Sequence, residues 1–185
     1  MIIYIHGFGG SGEGNKARIA RNYFKERILT PSLSYVPDLA ISTLEDIIKK
    51  FLKYEDIYLI GSSLGGYYSI YLAETYNLKT VLINPSVKPY ETLSKWTGFA
   101  QNFYDNSRFE WNEKHIEMLK KYDVKYINDQ SRYMLMLQKG DELLDFRVAL
   151  RKLPEADLIL EEGGSHQFEG FENHLSTIER FFEDI

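Results

Sequence analysis

Three observations predict an α/β protein with a mostly parallel, doubly wound sheet of about six strands and helices on both faces. Short β-branched or aromatic runs alternate with amphipathic helical segments along most of the chain. Glycine-rich or Asn-Pro punctuation stops strands abruptly at their carboxyl ends, the edge where such sheets hold ligands. The stretch Gly61-Ser62-Ser63-Leu64-Gly65 puts one serine at a sharp strand-to-helix bend.

The first strand is Ile2 to Ile5, ended by His6-Gly7-Phe8-Gly9-Gly10, and a helix follows over about Lys16 to Leu29, with Ala17, Ala20, Tyr23, Phe24 and Ile28 on one side. A second strand is expected at Leu33 to Val36, between Pro31 and Pro37. Ser42 and Glu45 then stand at capping-box spacing before a helix whose apolar face is Leu44, Ile47, Ile48, Phe51 and Leu52. Ile57 to Ile60 forms the third strand and feeds the bend at Ser63, after which Tyr68, Ile70, Tyr71, Leu72 and Thr75 read as a helix. Thr80 to Ile83 is the fourth strand, stopped by Asn84-Pro85.

From Lys88 to about Arg132 the alternation is lost. Aromatic residues crowd in, and one helix is readable, about Asn112 to Tyr122. This excursion is either a small cap over the site or a surface helix with its own aromatic cluster. Regularity returns with a fifth strand at Tyr133 to Gln138, a helix at Asp145 to Leu153, a sixth strand at Asp157 to Leu160 and a last helix at Phe171 to Phe182. One domain over 1–185 is expected, with 88–132 as a possible cap insertion.

In a parallel sheet, residues just after each strand share one edge of the molecule. That edge gathers His6 to Gly10, Ser63, Gly140 with Asp141, and Gly163 to Phe168. Ser63, Asp141 and His166 follow the order nucleophile, acid, histidine that α/β-hydrolases use. In that chemistry His166 takes the Ser63 proton while Asp141 fixes the imidazole tautomer and stabilises the imidazolium. The oxyanion would be met by backbone N–H groups of Leu64, directly after the nucleophile, and Phe8 in the first loop.

Other residues have duller expectations. His6 braces the oxyanion loop by hydrogen bonding, His115 and His174 are surface or capping groups, and Asp145 caps the helix that follows Asp141. Ser62 points away from the nucleophile. Phe8, Tyr67, Trp96 and Phe168 either line an acyl pocket or belong to the core. Four scattered histidines and no cysteine give no metal-ligand spacing, so neither metal nor cofactor is expected.

Composition narrows the partners. A net charge of −5 and 44% apolar residues suit a soluble protein and give no basic surplus for nucleic acid. No run approaches a membrane span and no leader is readable, so a cytoplasmic location is the default expectation.

The strings IYIHGFGGS, IGSSLGGYY, NPSVKPYETL, GDELLDFR and GGSHQFEGFE resemble the small YqiA-type esterases, a compact branch of the α/β-hydrolase superfamily. The resemblance runs from residue 2 to the final helix. It implies a compact α/β-hydrolase fold lacking the superfamily's first two strands, a sheet ordered 4-3-5-6-7-8 in superfamily labels, and a cofactor-free serine esterase. It maps the catalytic roles onto Ser63, Asp141 and His166. The implied substrate is a small-molecule acyl ester or thioester. An acyl-CoA thioesterase, carbon–carbon bond cleavage with the same triad, and a non-catalytic ligand-binding protein are the alternatives; the sequence does not speak to oligomeric state.

Overall fold

The structure, a computed structural model, describes residues 1–183. Six parallel strands form its sheet: β1 (Ile2–Ile5), β2 (Ile28–Leu29), β3 (Tyr58–Ser62), β4 (Lys79–Ile83), β7 (Tyr133–Gln138) and β8 (Asp157–Glu161). Their spatial order is β2-β1-β3-β4-β7-β8, which is the order the family resemblance implies. Parallel neighbours require crossover connections. These are supplied by α1 (Asn15–Phe24), α2 (Pro37–Phe51), α3 (Leu64–Tyr76), the segment between β4 and β7, and α6 (Phe146–Lys152), with α7 (Leu175–Glu183) closing the fold.

The period-2 geometry of a strand sorts the core into two layers. Ile3, Ile5, Leu59, Leu82, Leu135 and Leu137 face α2, α3 and α6. Their chain neighbours Ile2, Tyr4, Ile60, Val81, Ile83, Met134 and Met136 face α1 and α7, meeting Ala17, Ala20, Phe24, Ile178 and Phe182. Both faces of the central strands are therefore dry, and their sequences are near-continuous apolar runs rather than alternating ones.

Three expectations near the amino terminus are corrected. The second strand is Ile28–Leu29, paired with Ile2 and Ile3, and not Leu33 to Val36. The first helix stops at Phe24, where Lys25 takes φ 52°, and a 3₁₀ turn over Lys25–Arg27 delivers Ile28 straight to the sheet edge. Leu33 to Val36 is instead a loop. The next helix begins at Pro37, whose fixed φ and missing N–H suit a first helical position. Ser42 and Glu45 thus lie inside α2, where Glu45 pairs with Lys49 at 2.9 Å.

The excursion over 88–132 is more ordered than its sequence reads. It contains α4 (Pro89–Thr92), a 3₁₀ turn at Leu93–Trp96, an antiparallel pair β5 (Gly98–Gln101) and β6 (Arg108–Trp111), and α5 (Glu113–Lys120). Asn112 caps α5 by accepting from the Lys114 N–H, while His115 Nδ1 accepts from the Asn112 N–H. His115 does cap, but it is buried rather than on the surface, with its ring stacked on Trp111 at 4.9 Å.

The excursion's return to the sheet is pinned on Glu74 of α3. That carboxylate accepts from Arg132 Nη2 (3.2 Å), the Tyr133 hydroxyl (2.6 Å) and the Asn128 amide groups (2.7 and 3.0 Å). A charge so little exposed needs this many donors. Among the described residues, no helix is long and apolar enough to cross a membrane.

Candidate active site

The site is assembled at the carboxyl edge of the sheet. Ser63 sits between β3 and α3 at φ 56°, ψ −119°, a conformation that costs on the order of 1–3 kcal/mol for a residue with a Cβ. Three backbone bonds hold it there: its N–H donates to Ile83 O (3.0 Å), and its carbonyl accepts from the Gly66 and Ser86 N–H groups (2.9 and 3.0 Å). The elbow closes only because Gly65 lacks a side chain. A Cβ there would lie 2.0 Å from Ile5 O.

Ser63 Oγ lies 2.9 Å from His166 Nε2, and His166 Nδ1 lies 2.8 Å from Asp141 Oδ2. The carboxylate accepts the Nδ1 proton, so Nε2 is left as the acceptor for the serine hydroxyl. Asp141 is itself fixed by the Leu143 and Leu144 N–H groups, both 2.9 Å from Oδ1. Asp145 stands apart as the cap of α6, accepting from Arg147 N and Nε. Of the two candidate acids, Asp141 is the one joined to the histidine.

The loop carrying His166 is braced by residues the sequence reading did not single out. Buried Gln138, at the end of β7, accepts from the Ser165 and Glu169 N–H groups (3.1 and 2.8 Å) and donates to Glu161 and to the Glu169 carbonyl. Asn84 donates to the Ser165 and His166 carbonyls (3.0 and 3.3 Å) and accepts from the Gln138 N–H. Glu142 accepts from the His166 N–H at 2.9 Å, and Lys16 reaches the Gln167 carbonyl at 2.7 Å. The available signal was a glutamine closing the apolar run YMLML, where an unpaired polar side chain would be costly.

The first loop is held just as closely. His6 Nδ1 donates to the Gly7 carbonyl (2.8 Å) and Nε2 accepts from the Leu33 N–H (2.9 Å). The Gly10 N–H donates to the same Gly7 carbonyl at 3.1 Å. The Gly7 C=O and Phe8 N–H belong to one planar peptide and point in opposite directions. Fixing the carbonyl therefore fixes the direction of the Phe8 N–H. Burial lowers the His6 pKa below its ordinary 6.5, which suits an imidazole that must stay neutral to accept at Nε2. Leu64, first residue of α3, has an N–H with no carbonyl one turn earlier to bond.

Beside these N–H groups lies a cavity of about 230 Å³, bounded by residues 6–10, Leu33 to Tyr35, Leu64, Tyr68, Asn102 and Phe109. Of the aromatics proposed from sequence for a pocket, Phe8 lines it and the other three do not. Tyr67 is buried with its hydroxyl on the Leu119 carbonyl, Trp96 is 65% exposed, and Phe168 packs in the core layer on the opposite face of the sheet. His174 hydrogen-bonds Glu161 at 3.0 Å, away from the serine relay. No group of three or more His, Cys, Asp or Glu side chains among the described residues is placed to hold a metal ion.

Residues 1–183 match the profile described as "Uncharacterised protein family (UPF0227)". The UPF0227 protein VP0969 of Vibrio parahaemolyticus is 26% identical over 188 residues, covering 98% of this chain and 98% of its own. Among solved structures, mouse alpha/beta hydrolase domain-containing protein 10 superposes with a TM-score of 0.75 at 19% identity, over 98% of this chain and 89% of its own. The monoacylglycerol lipase of Paleococcus ferrophilus gives a TM-score of 0.68 at 16% identity, over 98% and 93%. At such identities the likeness to the two structures establishes the fold, and the fold is that of the α/β-hydrolases.

Proposed function

The chain belongs to the UPF0227 family, a YqiA-type branch of the α/β-hydrolase superfamily, and from that premise we propose that it is a serine hydrolase of carboxylic esters. The observation that carries this reading is the unbroken relay from Ser63 Oγ through His166 to Asp141. A serine hydroxyl alone is a poor nucleophile; one that donates to a carboxylate-oriented imidazole is an activated one.

In the proposed cycle, Ser63 Oγ attacks the ester carbonyl carbon as its proton passes to His166 Nε2. Negative charge then collects on the former carbonyl oxygen. The N–H groups of Phe8 and Leu64 receive it, and their fixed directions mean little reorganisation is needed when the charge appears. His166 returns its proton to the departing alkoxide, leaving an acyl group on Ser63 Oγ. Water, deprotonated by the same nitrogen, attacks the acyl carbon and releases the carboxylic acid. Each role uses a group of this chain alone, and the reading requires no cofactor.

The excursion serves as a cap in this reading, within a single domain. Its support is local: the Phe103 N–H donates to Gly9 O at 2.8 Å, and Phe8 meets Phe109 and Trp111 edge-on at 5.5 and 4.8 Å. No lysine or arginine borders the cavity, which favours simple small-molecule esters over acyl-CoA thioesters, whose phosphates invite basic partners. A cytoplasmic place of action accords with a chain free of cysteine.

Steady-state kinetics on p-nitrophenyl butyrate and butyryl-CoA test the proposal. Ser63→Ala should lower kcat on the ester by on the order of 10⁴ or more with the fold unchanged by circular dichroism. Turnover like that of the wild type in this variant would exclude the mechanism. A kcat/KM for butyryl-CoA far above that for the ester would make the chain a thioesterase.

A further inference from the structure

We infer that Asn84 sets the distance between Ser63 and His166: it is a positioning residue, one buried amide that ties the backbone under the nucleophile to the loop that carries the base. The roles of Ser63 and His166 come from the hydrolase reading, on which this inference rests. The connections are a matter of geometry alone.

Asn84 is the first residue after β4, where it takes φ 38°, a left-handed conformation that Asn tolerates better than most residues with a Cβ. Its N–H donates to Met136 O at 2.9 Å, so a regular parallel ladder would next pair the Asn84 carbonyl with the Gln138 N–H. The side chain takes that place instead: Oδ1 accepts from the Gln138 N–H at 3.0 Å. Nδ2 is thereby free to reach beyond the sheet edge, where it donates to the Ser165 and His166 carbonyls at 3.0 and 3.3 Å.

The same segment grips the nucleophile. Ile83 O accepts the Ser63 N–H, and the Ser86 N–H donates to Ser63 O, both at 3.0 Å. Pro85 packs against α3 so closely that a Cβ on Gly66 would lie 2.6 Å from Pro85 Cβ. Residues 83–86 therefore hold the strained Ser63 backbone by both its polar groups and hold His166 through the side chain between them. The acid joins through Gln138, whose carbonyl accepts from the Asp141 N–H at 3.2 Å.

Ser63 Oγ and His166 Nε2 stand 2.9 Å apart, and a misplacement of about 1 Å costs on the order of 10² in rate. Without the Asn84 amide, two carbonyls of the histidine loop and the Gln138 N–H lose a partner away from bulk water, and the loop relieves them by shifting outward. Asn84→Asp goes further. Its Oδ1 still accepts from Gln138, while the second carboxylate oxygen faces two carbonyl oxygens and repels the loop.

Two measurements test this on wild type, Asn84→Asp, Asn84→Gly, Ser63→Ala and a control, Ile48→Ala, which removes a fully buried side chain near the carboxyl end of α2, at the opposite edge of the sheet. The first is kcat and KM on p-nitrophenyl butyrate. The second is the NMR resonance of His166 Nε2 in isotopically labelled protein, which reports the hydrogen bond this nitrogen accepts and needs no turnover. Ser63→Ala supplies its value with the bond absent.

Both Asn84 variants should lower kcat by on the order of 10² with KM little altered, and both should move the Nε2 resonance to the Ser63→Ala value. Ile48→Ala should lower Tm yet keep the wild-type kcat and resonance. Asn84→Gly suits a φ of 38° and buries no charge, so it keeps the test open if Asn84→Asp fails to fold. Folded Asn84 variants with the wild-type resonance and kcat overturn the positioning role while leaving a serine hydrolase. A resonance that moves in them, in a protein that cleaves no ester even as wild type, upholds the positioning role and removes the hydrolase reading. A wild-type resonance already at the Ser63→Ala value overturns both.

Discussion

Asp141 and Asp145 lie four residues apart and differ in what their oxygens meet. One accepts from His166, the other caps α6. Asp141→Asn should therefore lower kcat by about 10⁴, because an amide no longer enforces the Nδ1–H tautomer. Asp145→Asn should leave kcat and stability nearly unchanged, since Asn caps a helix about as well as Asp; steady-state kinetics and thermal melts of the pair separate the two acids. In the proposed mechanism His6, bonded to the Gly7 carbonyl and the Leu33 N–H, acts through the Gly7-Phe8 peptide rather than on substrate. His6→Ala should release the Gly7-Phe8 peptide and lower kcat by up to about 10²–10³, the effect of losing one oxyanion donor, with KM little altered. A proportional rise in KM at constant kcat would mean that His6 shapes ground-state binding instead. That Ser63, Asp141 and His166 would meet at one sheet edge was legible because each follows a strand that the local pattern identifies. Gln138, Asn84, Tyr35 and Phe109 were not, since their roles come from partners far along the chain.

The elements show where local pattern succeeds and where it is overridden. Strands β1, β3, β4 and β7 were readable because burial on both faces leaves compact apolar runs between turn residues, whereas the largely exposed edge strand β8 was readable from the short run Leu158-Ile159-Leu160 alone. The misplaced second strand has a physical cause: Leu33-Ser34-Tyr35-Val36 has the composition of a strand, but the sheet edge is already taken by Ile28 and Leu29. What remained for that segment was to seat Leu33 on His6 and Tyr35 on Phe109. The β5–β6 hairpin was missed because each strand is only four residues long and, although Arg108-Phe109-Glu110-Trp111 alternates, its partner Gly98-Phe99-Ala100-Gln101 has a single large apolar side chain, which is exposed. The β3–α3 turn carries the sharpest requirement at this scale. Gly65→Ala should destabilise by on the order of 3 kcal/mol or more, because its methyl would be driven into the Ile5 backbone. Gly14→Ala, at the amino end of α1 with φ −64°, should cost under about 1 kcal/mol. Urea denaturation of the two variants gives the comparison, and equal losses would contradict the close approach of α3 to β1.

Across the whole molecule the sheet joins two apolar layers, and the excursion is fastened at its hairpin turn, to Gly9 through Phe103, and at its return to the sheet, to Glu74 through Arg132 and Tyr133. Acid should loosen it. Burial lowers the pKa of both His6 and His115 below the ordinary 6.5, so the unfolded chain binds protons that the folded one refuses. Stability is then complete above about pH 6.5 and falls as the pH drops through the unfolded value toward the folded ones. Below that range Asp38, held low by its hydrogen bond from Lys121, and Glu179, held low by Arg27, extend the loss. Tm should thus decline between pH 7 and pH 5. His115→Gln, which retains an acceptor for the Asn112 N–H, should flatten the slope; a Tm that is constant or rises toward pH 5 would contradict the buried neutral histidines. The central claim is the activated serine at the sheet edge, and its most direct test is a fluorophosphonate probe with the adduct located by mass spectrometry. The account predicts stoichiometric labelling at Ser63 that disappears in His166→Ala, whereas well-folded protein left unlabelled, or labelled at another residue, would contradict it.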